Sequence, residues 1–460
     1  MAIQKEFGDC PTPRELSSKI CSFLMTQGVS PAWIVEPTCG RGSFILSALE
    51  QFSSTTRILG VDINGYHLQS LKQDLSELNA SRRVELVSKD FFKLDWPSIL
   101  GELTEPILIL GSLPWVTIST LGDISEWMLI HLVQWVSGRD AIVAMLCTTS
   151  VARKVLRHLW QNQEKIGQSF LYLLDGQKLF GVSVAMGLFV CKTKGDGSDR
   201  TCQVYEGISN NCHLTTFGFR DGQVIADVES FDRWEHLSGP EVHKWRSGVK
   251  HDAATVLELT EDKSKYKNRL GETVILEDDY VYPFLKSSDI ANEKLSQPHR
   301  RLLITQTYVG EDTTPIKQKA PRTWDYLMSH RKFFEKRNRS VYREKPMFSI
   351  FGIGDYSFSP WKVAISGMYK NLKFSVVGPY EGKPVLLDDT CYFVSCESRD
   401  EARLLASLLN SSVAQAYLRA FIFWDEKRPV TASILRNLDL VALARELGLR
   451  AEILNYIHQK

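Results

Sequence analysis

The sequence has no long apolar run. No stretch approaches the roughly 18 residues that a membrane-spanning helix requires, and the first seven residues carry charges without the apolar core of a signal peptide. We therefore expect a cytoplasmic protein that does not bind a membrane.

The sequence also lacks a cysteine or histidine pattern. Its nine cysteines include no Cys-x2-Cys pair, and no histidine pair has the spacing of zinc ligands. We expect reduced, mostly buried thiols and no metal site. Internal repeats and low-complexity segments are absent as well, which leaves the composition of ordinary globular domains.

Length and charge predict two domains. A chain of 460 residues exceeds one ordinary core. Residues 1–240 contain 21 basic and 26 acidic side chains, whereas residues 241–460 contain 34 basic and 28 acidic ones. We predict a catalytic domain over 1–240 and a second domain, with a different electrostatic role, over 241–460.

The first 190 residues alternate short apolar runs with amphipathic stretches, which is typical of a Rossmann-like, doubly wound α/β sheet. Two late apolar runs, 170–174 and 184–191, predict a terminal antiparallel hairpin. The second half is less regular and predicts a mixed α+β domain with helices over 324–337 and 401–420. The remaining predicted strands are 32–36, 58–62, 84–87, 107–110 and 141–146, and the helices 15–26, 42–52, 66–79 and 124–136.

A glycine turn after the first strand predicts a nucleoside cofactor. The strand leads into Glu36-Pro37-Thr38-Cys39-Gly40-Arg41-Gly42 and then a helix, so backbone N–H groups face a ligand that approaches closely. Asp62 ends the next strand, 22 residues after Gly40, where a carboxylate binds ribose hydroxyls. The third glycine of dinucleotide-binding turns is absent, which disfavours nicotinamide and flavin cofactors.

Two further segments fit such a site. Asp90 and Phe91 follow the third strand, where a carboxylate and a ring can hold an adenine; a plain helix cap is the alternative for Asp90. Thr12-Pro13 precedes the first helix, and a simple helix entry is its alternative.

In this order the segments resemble the gamma-type DNA adenine methyltransferases of restriction-modification systems, especially the Eco-type relatives with a carboxy-terminal target-recognition domain. The resemblance covers nearly the whole chain. It implies S-adenosylmethionine as cofactor, with the ribose on Asp62 and the adenine on Asp90 and Phe91. The methionine part is then held by Thr12, Pro13, Glu36, Pro37, Cys39, Gly40 and Gly42.

The catalytic motif of that family, Asn-Pro-Pro and an aromatic after the fourth strand, is replaced by Ser112-Leu113-Pro114-Trp115. The resemblance implies that Ser112 and the Leu113 carbonyl orient the target amino group, while Trp115 and Phe180 flank a base flipped out of the duplex. Serine at this place is typical of cytosine-N4 relatives. The loop after the motif is also shorter than usual, which leaves a catalytically inactive subunit as another alternative.

Residues 313–376 contain 13 basic and 4 acidic side chains, interleaved with aromatics. Such a segment neutralises phosphates, and a solvated charge run is the alternative. The stretch Phe351 to Lys362 and Asn410-Ser411-Ser412 resemble the recognition domain of the family. The predicted DNA-binding residues are Arg331, Lys332, Lys336, Arg337, Arg339, Arg343, Lys345, Trp361 and Lys362.

We therefore predict a site-specific, S-adenosylmethionine-dependent methyltransferase that acts on adenine N6 in double-stranded DNA, without a metal or a covalent intermediate. Transfer to cytosine N4, an inactive DNA-binding subunit and an RNA methyltransferase are the alternatives. A cognate endonuclease or another defence-system subunit is compatible with this prediction as a partner.

Overall fold

The structure, a computed structural model, describes residues 11–114, 117–118, 122–210, 212–262, 265–337 and 340–450. The chain divides into two units, Met1–Glu229 and Ser230–Lys460, whereas the sequence pattern set the boundary after residue 240. Within the described ranges, no helix has both the length and the apolar character needed to cross a bilayer.

The first unit is built on one ten-stranded sheet in the order β12-β11-β10-β8-β9-β7-β4-β1-β2-β3. Its central strands β7, β4, β1, β2 and β3 run parallel, as the pattern predicted. The strands are β1 Trp33–Glu36, β2 Arg57–Asp62, β3 Val84–Ser88, β4 Ile107–Ser112, β7 Ala141–Thr148, β8 Ser169–Leu174, β9 Met186–Lys192, β10 Thr201–Tyr205, β11 His213–Arg220 and β12 Gln223–Ile225; two short strands, β5 Thr117–Ile118 and β6 Gly122–Asp123, pair with each other outside this sheet.

The predicted terminal hairpin is confirmed, because β8 and β9 are antiparallel neighbours and β9 is antiparallel to β7. Beyond residue 200 the chain continues the same sheet through β10, which pairs with β8.

Crossover helices connect the parallel strands, and two of them, Trp96–Gly101 and Thr149–Gln161, were missed. Thr149–Gln161 follows β7, with the Thr148 hydroxyl accepting a hydrogen bond from the Val151 N–H. The helices of this unit are α1 Arg14–Thr26, α2 Ser43–Gln51, α3 Gly65–Glu77, α4 Trp96–Gly101, α5 Ile124–Trp135, α6 Thr149–Gln161 and α7 Gly176–Phe180, and α8 Val228–Trp234 follows at the division between the units.

The second unit is mixed α+β. Its six-stranded sheet has the order β16-β15-β14-β18-β17-β21, and its four-stranded sheet the order β13-β22-β19-β20. The strands are β13 Arg246–Ser247, β14 Glu258–Asp262, β15 Lys265–Lys267, β16 Thr273–Val274, β17 Val281–Leu285, β18 Arg300–Leu303, β19 Trp361–Ser366, β20 Ser375–Val377, β21 Leu386–Leu387 and β22 Cys391–Cys396.

Both long helices predicted in this half are interrupted. The first splits at His330, where the backbone leaves the helical region, and the second splits at Asn410 and Ser411. The Ser411 hydroxyl accepts a hydrogen bond from the Ala414 N–H and so starts a new helix. The helices are α9 Ala254–Leu257, α10 Ser287–Ala291, α11 Ile316–Lys319, α12 Pro321–Ser329, α13 Arg331–Glu335, α14 Arg399–Leu409, α15 Ser412–Arg419, α16 Ala432–Leu435 and α17 Leu440–Glu446.

Candidate active site and DNA-binding segment

The carboxyl ends of β4, β1, β2 and β3 meet at one edge of the parallel sheet. The strand order reverses between β1 and β4, the position at which open α/β sheets form their ligand crevice. Glu36, Asp62 and Ser112 are the last residues of three of these strands, and Asp90 follows the fourth. Residues that are far apart in the sequence are therefore neighbours along this edge.

The turn after β1 uses its two glycines for different purposes. Both have positive φ, +50° at Gly40 and +78° at Gly42. A Cβ atom at Gly42 would lie 2.5 Å from the Leu71 side chain, so this glycine allows close packing against α3. Among the described residues, no heavy atom beyond the chain neighbours lies within 4 Å of the corresponding position at Gly40, and the turn is open on that side.

Asp62 connects two loops at the edge. One carboxylate oxygen accepts the Gly40 N–H at 2.7 Å, and the other accepts the Asn64 N–H at 2.8 Å. Each carboxylate oxygen can accept more than one hydrogen bond, so the side chain retains acceptor capacity for a ligand hydroxyl.

Glu36 is buried, with 3% of its surface exposed. Burial raises the pKa of this carboxyl well above its usual range, although a backbone hydrogen bond from Ile45 opposes the shift. Its Oε2 atom has no hydrogen-bond partner among the described residues. A buried acceptor without a donor is costly, and a ligand that donates to it removes that cost.

Thr12 and Pro13 lie next to this turn because of contacts made by α1. The Arg14 guanidinium and the Ser17 hydroxyl both donate to the Ser43 carbonyl at 3.0 Å, directly after Gly42. Pro13 directly precedes Arg14, the first residue of α1.

The segment after β4 is fixed by two hydroxyl groups. The Thr38 hydroxyl donates to the Ser112 carbonyl at 2.9 Å, and the Ser125 hydroxyl donates to the Pro114 carbonyl at 2.5 Å. The Leu113 side chain is buried, and no donor from the described residues is bonded to its carbonyl oxygen. Sequence reasoning missed Thr38 and Ser125, since ordinary hydroxyl residues give no distinctive signal.

Asp90 makes the helix-capping contact that the sequence offered as its alternative role, because its carboxylate accepts the Phe92 N–H at 3.0 Å. The Phe91 ring is only 6% exposed and packs against Trp96 and Trp135, and its stacking on an adenine stays a prediction. The neighbouring Phe92 ring is 54% exposed and contacts Trp127. The exposure of Phe92 was missed, because the sequence does not determine which of the two adjacent rings is buried.

The other predicted residues of this unit are placed as follows. Pro37 and Cys39 are buried beneath the glycine turn, and burial raises the pKa of the Cys39 thiol. Phe180 is half-buried at the end of α7 and packs against the core. Trp115 lies outside the described residues.

In the second unit, the basic segment, residues 331–345, has exposed cations. Lys332, Lys336, Arg343 and Lys345 are exposed, and none is paired with a carboxylate within the described ranges. Arg331 is exposed but pairs with Glu335 at 3.0 Å. Arg339 falls outside the described residues.

One predicted DNA contact, Lys362, is corrected, and a second, Arg337, bonds its own unit. The Arg337 guanidinium donates to carbonyls of its own unit and lies 3.9 Å from the Tyr342 ring centroid. Lys362 is 1% exposed, its ammonium donates to the Ser359 carbonyl, and burial lowers its pKa to about 7. The Lys362 ammonium is therefore closed off from phosphates, whereas the half-buried Arg337 uses its N–H groups on carbonyls of its own unit. Trp361 is half-buried beneath Arg399.

The parallel sheet with its antiparallel β8–β9 pair is the class I methyltransferase fold. No family model matches the chain. A relative from Nostoc sp., named type II methyltransferase M.NspV, is 40% identical in an alignment of 469 positions that covers 96% of this chain and 97% of the relative. The chain therefore belongs to the type II methyltransferases of restriction-modification systems.

A solved structure supports the fold across both units. The type IIL restriction-modification enzyme MmeI, solved in complex with DNA, matches with a TM-score of 0.57 and 14% identity. The match covers 97% of this chain and 71% of MmeI.

Proposed function

We propose that the chain transfers a methyl group from S-adenosylmethionine to the exocyclic amino group of a base flipped out of double-stranded DNA, with adenine N6 as the acceptor. The observation that carries this proposal is the bonding of residues 112–114. The carbonyls of Ser112 and Pro114 are bonded to protein hydroxyls, whereas no described donor is bonded to the Leu113 carbonyl between them. That oxygen and the Ser112 hydroxyl are the acceptors that we assign to the target amino group.

The residues at the sheet edge fit the cofactor. The buried Glu36 Oε2 lacks a donor among the described residues, and the ammonium group of a bound methionine moiety supplies one. Asp62 would hold the ribose hydroxyls, and Asp90 the adenine amino group. The open side of Gly40 lets the ligand approach the backbone.

The bound cofactor supplies an electrophilic methyl group on a sulfonium, so the protein contributes orientation and electrostatics. Two oxygen acceptors on the target amino group hold its two N–H bonds and direct the nitrogen lone pair away from them. Pro114 keeps the backbone of Leu113 extended, which fixes the direction of that carbonyl. The Thr38 hydroxyl prevents the neighbouring Ser112 carbonyl from competing for the amino group.

The basic segment is our candidate for the phosphate contacts. Its four exposed cations without a carboxylate partner are Lys332, Lys336, Arg343 and Lys345. Each cation that neutralises a phosphate releases counterions, so duplex binding should weaken steeply with salt.

Cytosine N4 is the second candidate acceptor, and Ser112 is the observation that favours it. Cytosine N4 is also an exocyclic amine, so the same two acceptors can orient it. The shorter serine side chain reaches less far than the asparagine of the adenine-specific relatives.

The test is methyl transfer from labelled S-adenosylmethionine to unmethylated plasmid, to RNA or to no acceptor, followed by mass spectrometry of the nucleosides. We expect N6-methyladenine from plasmid alone. N4-methylcytosine would select the second candidate, methylated RNA would overturn the choice of duplex DNA, and duplex binding without any transfer would indicate an inactive subunit.

Variants of Ser112 test the assigned acceptor. Ser112→Ala should lower the rate by about 10- to 1000-fold without changing cofactor affinity, because one oriented hydrogen bond at the reacting centre is lost. Ser112→Asn should retain adenine transfer. Ser407→Ala, in an exposed serine of the second unit, is the matched control. An unchanged rate for Ser112→Ala would exclude the hydroxyl from the reaction.

A further inference from the structure

The hairpin between β19 and β20 exposes four consecutive side chains, Met368, Tyr369, Lys370 and Asn371, which we term the β19–β20 tip. The side chains of Met368 and Tyr369 are 37% and 41% exposed. Large apolar groups at the end of a hairpin are not needed for its fold, because they are not packed in a core.

The first side of the tip is held by side-chain contacts. The Ser366 hydroxyl oxygen accepts the N–H groups of both Met368 and Tyr369 at 3.3 Å, and it lies 2.8 Å from the Ser287 hydroxyl. A Cβ atom at Gly367 would lie 2.9 Å from the Thr390 carbonyl oxygen. The turn is therefore packed closely against its own unit.

The second side is held by Asn410, which begins the Asn410-Ser411-Ser412 segment. Its side-chain amide accepts the Phe374 N–H at 3.0 Å and donates to the Phe374 carbonyl at 2.8 Å. Leu372 and Phe374 are both buried. The tip thus presents exposed side chains on a fixed base, which limits the entropy lost when they bind a partner.

The chemistry of the tip matches a nucleic-acid duplex. Residues 367–374 contain two lysines and no carboxylate. Lys373 pairs with Glu293, while Lys370 is exposed and has no carboxylate partner in the described part of the chain. Methionine and tyrosine side chains insert against or stack on bases, asparagine bonds base edges, and lysine binds phosphate.

We propose that the β19–β20 tip inserts into the target duplex, with Met368 and Tyr369 against the base pairs and Lys370 on the flanking phosphate. This inference rests on the proposed function, since it takes duplex DNA as the substrate. It adds a contact that the basic segment does not supply, because an inserted apolar group distinguishes base steps whereas a phosphate contact does not.

The experiment compares Met368→Ala/Tyr369→Ala with Leu270→Ala/Ile275→Ala, which removes two exposed apolar side chains elsewhere in the same unit. We expect the tip variant to lose about 10- to 100-fold in kcat/KM for unmethylated plasmid, comparable to the loss of a base-stacking aromatic. Its Tm, its KM for S-adenosylmethionine and its salt slope should not change, because no counterion is released.

Three further measurements complete the test. Tyr369→Phe should restore most of the loss, since the ring is retained. Lys370→Ala should lower the slope of log K against log salt by about 0.9. Duplex binding by fluorescence anisotropy is measured alongside transfer, so a parent that binds DNA without methylating it still tests the tip.

If the tip variant matches the control in both kinetics and binding, the inference is overturned while the proposed function stands. If the parent neither binds nor methylates duplex, both are wrong. The parent could instead show a molecular mass that rises with its concentration. If only the tip variant fails to show this rise while its DNA binding is unchanged, the tip serves self-association.

Discussion

Replacing Arg337 with lysine tests whether this guanidinium contacts a DNA phosphate or forms a structural bridge, that is, holds separate segments of its own unit together. The guanidinium donates to the carbonyls of His251, Met347 and Ser349 at 3.0, 2.8 and 2.6 Å, and to that of Phe334 at 3.2 Å. Lysine retains the charge but not the planar fork that reaches these four oxygens at once. A phosphate contact should tolerate the change, whereas a bridge should not.

The expected magnitude follows from the bonds lost. Charge-assisted hydrogen bonds contribute about 1.5 to 3 kcal/mol each. They are not additive, and lysine keeps one or two of them, so we expect a loss of roughly 3 to 5 kcal/mol from the two or three bonds that are removed. For a unit of this size that lowers Tm by roughly 6 to 20 °C. The Tyr342 ring, which Arg337 covers, should become more mobile.

Thermal unfolding and duplex binding at several salt concentrations give the answer together. Lys332→Ala/Lys336→Ala is the control, since both side chains are exposed. It should leave Tm unchanged, weaken duplex binding and flatten the salt slope by up to about 1.8. If Arg337→Lys instead keeps the parent Tm while Arg337→Ala lowers the salt slope, the structural bridge is refuted and Arg337 contacts phosphate.

Three further outcomes are expected. Asp62→Ala should weaken S-adenosylmethionine binding by roughly 10- to 100-fold in calorimetry while duplex affinity stays the same, because the charged hydrogen bonds to the ribose are lost; an unchanged cofactor affinity in a folded variant would remove Asp62 from the site. Cofactor binding should tighten as pH rises towards the raised pKa of Glu36, because a cationic ligand favours its ionised form; Glu36→Gln should abolish this dependence, and a parent without it would contradict the contact. Burial acts to raise the pKa of Glu258, but hydrogen bonds from His251 and Lys286 lower it to about 2. The stability that this carboxylate contributes is therefore present above about pH 4.5 and is lost as the pH falls towards 2. If acid unfolding of Glu258→Gln parallels that of the parent, the contacts of Glu258 with His251 and Lys286 contribute nothing to stability.

The fold of the first unit could be predicted because local patterns determine it. Buried parallel strands appear as apolar runs, and the carboxyl-edge rule then brings Glu36, Asp62 and Ser112 together without knowledge of any side-chain contact. Helix α6 was missed although the Thr148 hydroxyl caps it and its buried residues recur at helical spacing, so the sequence did carry the signal for this helix. The break between α14 and α15 at Ser411 was missed, because a capping residue inside an amphipathic stretch leaves the helical spacing of its apolar residues unchanged.

Charge and ring placement could not be predicted, because they depend on distant residues. The carbonyls that bind Arg337 belong to residues as far away as His251, so a basic run alone did not distinguish it from its exposed neighbours.

Lys362 lies in β19, where almost every residue is buried, so the alternation that would have placed it on a solvent face does not hold. Its ammonium bonds the Ser359 carbonyl instead of a partner outside the strand. Phe91 and Phe92 are equivalent by composition, and only the packing of Trp96 and Trp135 decides which ring is buried. A recognition surface inferred from sequence therefore needs the exposure of each cation before phosphates are assigned to it, and here that exposure favours Lys332, Lys336, Arg343 and Lys345.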